Sequence, residues 1–237
     1  MFRAALVVLA TLGGCTFAPR GEVPGDGDAA TAPDGPGLPD APPCGLTATS
    51  PSTDGGTLGS TAGGDALAPL TCPTGELPIG AAFDLTDNPI SNHGNQRLVA
   101  GVHLRCGTLA QTAAAVTVTP TELQSIHGGA GANCSAYRPF TTSAEARCPI
   151  GTVLVGLDGN QPDDVLFNHV ALRCAPLGVA GAIGADVTLV PVDGTGTDGN
   201  RPQTAACPAG TMVVALKPNA GCGIDGVVLV CAPLTCG

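Results

Sequence analysis

Cys148-Pro149-Ile150-Gly151, followed by the apolar Thr152 to Leu157 and closed by Val170-Ala171-Leu172-Arg173-Cys174, is the stretch that decides the fold. Between its halves lies Asp158-Gly159-Asn160-Gln161-Pro162, a cluster of turn-forming residues. The closing run alternates: Val170, Leu172 and Cys174 share one face and Ala171 and Arg173 the other, as in a half-buried strand. Proline after the cysteine is tolerable at the first residue of a strand or on an edge. The segment therefore reads as an antiparallel pair of strands.

The same cassette occurs twice more. One copy runs from Cys72-Pro73-Thr74-Gly75 to Val102-His103-Leu104-Arg105-Cys106, the other from Cys207-Pro208-Ala209-Gly210 to Val227-Val228-Leu229-Val230-Cys231. Leu77 to Ala82 and Thr211 to Leu216 supply their first strands, and Asp87-Asn88-Pro89 and Pro218-Asn219-Ala220-Gly221 their turns. Three copies of one unit pack around a pseudo-threefold axis or stack in a row. Linking stretches add strands at Val116–Pro120 and Val187–Pro191, with Thr47–Pro51 a poorer match. The expectation is an all-β domain over 44–237 with repeats near 44–106, 107–174 and 175–237. Three four-stranded sheets about a threefold axis make a β-prism.

The N-terminus has a different character. Arg3 precedes the nine-residue apolar run Ala4–Leu12, too short to span a bilayer, and the run ends at Leu12-Gly13-Gly14-Cys15. This resembles a bacterial lipobox, implying a signal peptide over 1–14 and a lipidated Cys15. A diacylglycerol with an N-acyl chain anchors firmly. Thr16 to Pro43 is mainly Pro, Gly, Ala and Asp, cannot bury enough apolar surface to fold, and reads as a disordered tether. The expected address is a bacterial cell envelope, in the outer membrane, facing the periplasm or the surface.

Eleven cysteines less Cys15 leave ten, an even number in an oxidising compartment. The cassettes predict Cys72–Cys106, Cys148–Cys174 and Cys207–Cys231. The remaining four cysteines allow three connectivities; closure of a threefold barrel favours Cys44–Cys236 with Cys134–Cys222. No Cys-x-x-Cys and no His-x-x-x-His spacing points to a metal, so no metal or cofactor is expected. Nine Lys and Arg against a net charge of −10 argue against nucleic acid as a partner.

The strand-turn-strand cassette, and above all Asp163-Asp164-Val165-Leu166-Phe167-Asn168-His169-Val170-Ala171-Leu172-Arg173-Cys174, resembles the repeat of the vitelline membrane outer layer protein I family. Gly223-Ile224-Asp225-Gly226-Val227-Val228-Leu229 is similar to a strand of jacalin-related lectins. Both resemblances imply a β-prism I fold of three Greek-key sheets and, as a first ligand, a glycan. Mannose-type jacalin relatives use a Gly-x-x-x-Asp loop. Matches occur at Gly80…Asp84, Gly159…Asp163, Gly194…Asp198 and Gly221…Asp225, where a chain with 35 glycines yields about two by chance. The candidate ligand residues are Gly194, Gly196 and Asp198, with Gly221, Gly223 and Asp225 as the alternative. The chain has no tryptophan, which removes the usual sugar-stacking surface.

Other candidates read as ordinary surface chemistry. Asp158, Asp163 and Asp164 lack an EF-hand's spacing. Glu76 and His103 fall on outward strand positions; His93, His127 and His169 lie in or beside loops. No Gly-x-Ser-x-Gly elbow is present. The expectation is a non-enzymatic binding or structural module; the alternative is an enzyme acting on cell-wall or extracellular polysaccharide.

Overall fold

The computed structural model describes residues 44–50, 52–62, 64–87, 97–112, 116–128, 140–161, 168–178, 181–192 and 201–236. Residues 1–43, on which the expected signal peptide, Cys15 and tether fall, lie outside them. Each cassette forms one hairpin: β5 (Leu77–Asp87) with β6 (Arg97–Gln111), β10 (Thr152–Asn160) with β11 (Asn168–Pro176), and β14 (Met212–Ala220) with β15 (Ile224–Ala232). The linking stretches add β7 (Val116–His127), β8 (Thr141–Thr142) and β9 (Ala146–Arg147) after the first hairpin, and β12 (Thr188–Pro191) and β13 (Pro202–Ala206) after the second. The domain starts with β1 (Cys44–Ala48), β2 (Thr53–Gly59), β3 (Asp65–Ala66) and β4 (Leu70–Thr71), and ends with β16 (Leu234–Cys236).

The strands make three antiparallel sheets of Greek-key order. In the second, β13-β10-β11-β12, the fourth strand returns beside the first. In the first sheet β7 flanks β6, and β8 and β9 flank β5. In the third, β2 flanks β15, and β3 and β4 flank β14. The repeat boundaries drawn from the sequence are thus out of phase with the sheets. A linking stretch pairs with the cassette before it, and the third sheet takes its outer strands from the start of the domain. The physical reason is proximity: short connections lay the next strand beside the hairpin just formed.

Alternation sets the core. Val102, Leu104 and Cys106, their counterparts Val170, Leu172 and Cys174, and Val227, Leu229 and Cys231 are all 0–2% exposed and face inward. All of these but Cys106 join Phe83, Leu58, Leu157 and Leu216 in one cluster drawn from all three sheets. Each hairpin carries an extra residue on its first strand, Ile79, Val155 or Val214, where the register slips by one. Such a bulge bends and twists the strand, which a prism's curved walls need.

Each Cys-Pro-x-Gly is a turn. The amide of Glu76 donates to the Pro73 carbonyl, Thr152 to Pro149 and Thr211 to Pro208, at 3.0–3.1 Å. Gly75, Gly151 and Gly210 sit at φ +84°, +80° and +77°, the third turn position at which a side chain would be strained. The cysteine therefore does not open the hairpin's first strand. It precedes the turn, at the end of the outer strand of the previous sheet: Cys148 follows β9 of the first sheet and is bridged to Cys174 in the second. Cys207 follows β13 and is bridged to Cys231, and Cys72 follows β4 and is bridged to Cys106. The three bridges thus run between sheets, one at each seam. Cys44–Cys236 ties the two ends of the domain, where β1 pairs with β16. Cys222 is disulfide-bonded, and Cys134 lies outside the described residues.

Candidate ligand site and a buried polar cluster

Gly194, Gly196 and Asp198 lie outside the described residues. Gly221 and Gly223 lie in the turn between β14 and β15, Asp225 is the second residue of β15, and the structure brings Ser60, Thr61 and Gly64 against them. The Ser60 amide donates to the Asp225 carbonyl at 2.8 Å, and Asn219 Nδ2 donates to the Thr61 carbonyl at 3.2 Å. A Cβ on Gly64, at φ +63°, would lie 2.4 Å from Asp225 Oδ2, and one on Gly226 2.4 Å from the Ser60 carbonyl. The two segments thus approach backbone to backbone, which glycine alone permits at both positions. Asp225 and Asn219 are buried. Gly221 is different: a Cβ there would rest in ordinary contact, 3.4 Å from Asp225 Oδ2 and 4.0 Å from Gly64 Cα. Gly128, just after β7, also meets this end, since a Cβ on it would lie 2.6 Å from the Cys222 carbonyl oxygen.

The outer face of the first sheet holds a cluster that sequence reasoning missed. Asp84 of β5 is buried at 3% exposure. It accepts from Thr142 Oγ1 at 2.7 Å and lies 2.8 Å from His127 Nδ1. His103 Nε2 lies 2.9 Å from Asp84 Oδ1, out of line with the ring N–H, while His103 Nδ1 is 2.6 Å from Ser125 Oγ. The sheet register builds this: Asp84, Gly101 and His127 are cross-strand partners, and in the next row Ala82, His103 and Ser125. Gly101 lets the contact cross its strand, for a Cβ there would lie 2.6 Å from His127 Nδ1 and 2.9 Å from Asp84 Oδ2. Burial pushes the Asp84 carboxyl up, but Thr142, His103 and His127 outweigh it and hold it below the usual carboxylate range.

Two readings of the sequence are corrected here. His103 does point outward from the sheet, yet it is buried, because Asp84, Ser125 and His127 close around it. Glu76 is not a free surface group; it is half-buried and accepts from Thr121 Oγ1. Asp158 is engaged by Arg173 Nη1 at 2.9 and 3.1 Å. Among the described residues no group of three His, Cys, Asp or Glu is arranged to hold a metal. A cavity of 290 Å³ at the seam beside Cys207–Thr211 and one of 160 Å³ beside Cys148–Thr152 have mainly apolar walls, with Arg173 and Thr211 among the residues lining the first and Arg147 and Thr152 among those lining the second.

No family model matches the chain, and no curated protein matches it in sequence. The solved structures that overlay on it include lectins. Calystegia sepium agglutinin is 13% identical, over 77% of this chain and 97% of that one, with a TM-score of 0.44. Malaysian banana lectin is 13% identical, over 77% and 99%, with a TM-score of 0.42. A mannose-specific jacalin-related lectin from Morus nigra, in complex with mannose, is 13% identical, over 78% and 97%, with a TM-score of 0.41. The three-sheet topology itself, rather than these overlays, defines the fold.

Proposed function

We propose that this chain is a lipid-anchored carbohydrate-binding module of a bacterial envelope, which holds its glycan without cleaving the glycosidic bond. The observation that carries the binding is the junction of Ser60, Thr61 and Gly64 with residues 221–225. There the buried carboxylate of Asp225, at the start of β15, lies beside Gly64 and Gly221, which present no side chain. Neighbouring sugar hydroxyls both donate and accept, so a rigid carboxylate with adjacent backbone amides is the donor–acceptor set they need. With no tryptophan to stack on, the affinity is millimolar, about −4 kcal/mol. Glycan-array screening should give a restricted set of positive sugars that Asp225→Asn abolishes; an array without positives would leave a structural role. Anchoring rests on Leu12-Gly13-Gly14-Cys15 and the Pro/Gly/Asp-rich tether. Cys15→Ala should move the protein from the membrane to the soluble fraction, and wild-type protein found wholly soluble would exclude the anchor.

A further inference from the structure

The cluster on the first sheet is not needed by the fold. At the position of His103 the other two cassettes carry Ala171 and Val228, and their hairpins close in the same register around it. Burying an ionised carboxylate and an imidazole is costly unless they pair closely. What they form here is a chain of three groups on three strands. Ser125 Oγ, exposed on β7, touches His103 Nδ1 at 2.6 Å; His103 Nε2 lies 2.9 Å from Asp84 Oδ1; and Asp84 is held by Thr142 behind it. Asp84 has only acceptors to offer, so the proton of the His103 ring belongs on Nε2. Nδ1 is then the acceptor, and the Ser125 hydroxyl donates to it.

We propose that Ser125 is a nucleophile toward carboxylic esters, with His103 as its general base and Asp84 as the positioning residue. Ser125 Oγ adds to the ester carbonyl carbon while its proton passes to His103 Nδ1. Collapse of the tetrahedral intermediate breaks the bond to the alkoxy oxygen, which leaves as the alcohol with that proton. Water then attacks the acyl-serine, losing a proton to His103 Nδ1; the carboxylic acid departs and Ser125 Oγ regains its hydrogen. Asp84 stabilises the imidazolium at each stage without taking a proton. The off-line approach of His103 to Asp84 is the loose geometry common in catalytic hydrogen bonds before substrate binds. His127 lies two residues along the same face and holds Asp84 Oδ2 at 2.8 Å through its Nδ1. Its ring is edge-on to His103 at 5.5 Å and stacked on Phe140 at 6.1 Å. Ser125 is exposed, so an ester carbonyl reaches its Oγ from solvent.

The test uses the full chain with a fluorophosphonate probe and p-nitrophenyl acetate. Wild-type protein should be labelled at Ser125, located by peptide mass mapping, and should hydrolyse the ester at least tenfold faster than buffer. Ser125→Ala, at an exposed position, should keep the melting temperature and lose both signals. His103→Gln should cut labelling at least tenfold, and Asp84→Asn should lower kcat with KM unchanged. An unlabelled Ser125, or ester hydrolysis that survives in Ser125→Ala, overturns the proposal. Labelling unchanged in a folded His103→Gln overturns it too. Should His103→Gln fail to fold, Ser125→Ala alone decides.

Discussion

The amide of Cys148 donates to the carbonyl of Ile79 at 3.0 Å, while the sulfur of Cys148 is bonded to Cys174. One residue is therefore held by the first sheet through its backbone and by the second through its side chain. Cys207 repeats the pattern, with its amide on the Val155 carbonyl at 2.8 Å and its sulfur on Cys231. The carbonyls used belong to the bulged residues Ile79 and Val155, so each bond carries the β5–β9 or β10–β13 pairing one residue further, up to the cysteine.

Removing one seam bridge should thus loosen a junction between sheets. For the double change Cys148→Ala and Cys174→Ala, with a separation of 26 residues, chain entropy implies a loss of roughly 3–4 kcal/mol. Guanidinium unfolding at equilibrium measures it. A loss below about 1 kcal/mol would mean the seam is held by packing alone.

Two glycines of the second cassette should respond differently to alanine. Gly151 sits at φ +80° with open space around it, so Gly151→Ala should cost about 1–2 kcal/mol from backbone strain alone. Gly156 has an ordinary φ, but a Cβ on it would lie 2.4 Å from the Ala205 carbonyl oxygen. Gly156→Ala should force β10 and β13 apart and cost about 1–3 kcal/mol as overpacking. Hydrogen exchange separates them: only Gly156→Ala should speed exchange along β13.

Acid should unfold the domain sooner than neutral pH does. Burial raises the Glu145 carboxyl, but Arg105 and Arg147 outweigh it, so it is lowered, as Asp84 is. A carboxyl with a lower pKa folded than unfolded binds fewer protons in the folded state. Its contribution is complete above the unfolded value, about 4, and is lost as pH falls below that. Urea midpoints measured from pH 7 to pH 2.5 should fall below pH 5, and less steeply in Glu145→Gln. A flat wild-type profile would contradict the pairing.

What could be read from the sequence was whatever alternates or recurs. Val170, Leu172 and Cys174 announce an inward face by period alone, and three copies of Cys-Pro-x-Gly announce three hairpins. The phase of the repeat could not be read that way, because nothing in Val116–His127 says whether it pairs backward with β6 or forward with β10. Nor could the place of Cys148, which depends on a turn carrying the chain from one sheet to the next. The cluster of Asp84, His103 and Ser125 was hidden for a related reason. Its members are separated by 19 and 22 residues in the chain and meet only through cross-strand register. Gly221…Asp225 was one of four equivalent spacings until Ser60, Thr61 and Gly64 were seen to abut it, while Gly80…Asp84 proved to lie within a strand.

Isothermal titration of the wild-type protein and Gly221→Ala against a panel of mono- and disaccharides tests the carbohydrate site most directly. Gly221 has no strained φ and room for a methyl group, so the variant should melt like the wild type. That methyl group would stand over the Asp225 carboxylate. The account predicts millimolar binding of at least one sugar by the wild type and its loss in Gly221→Ala. Heats absent for every sugar, or an affinity unchanged in the variant, would contradict it.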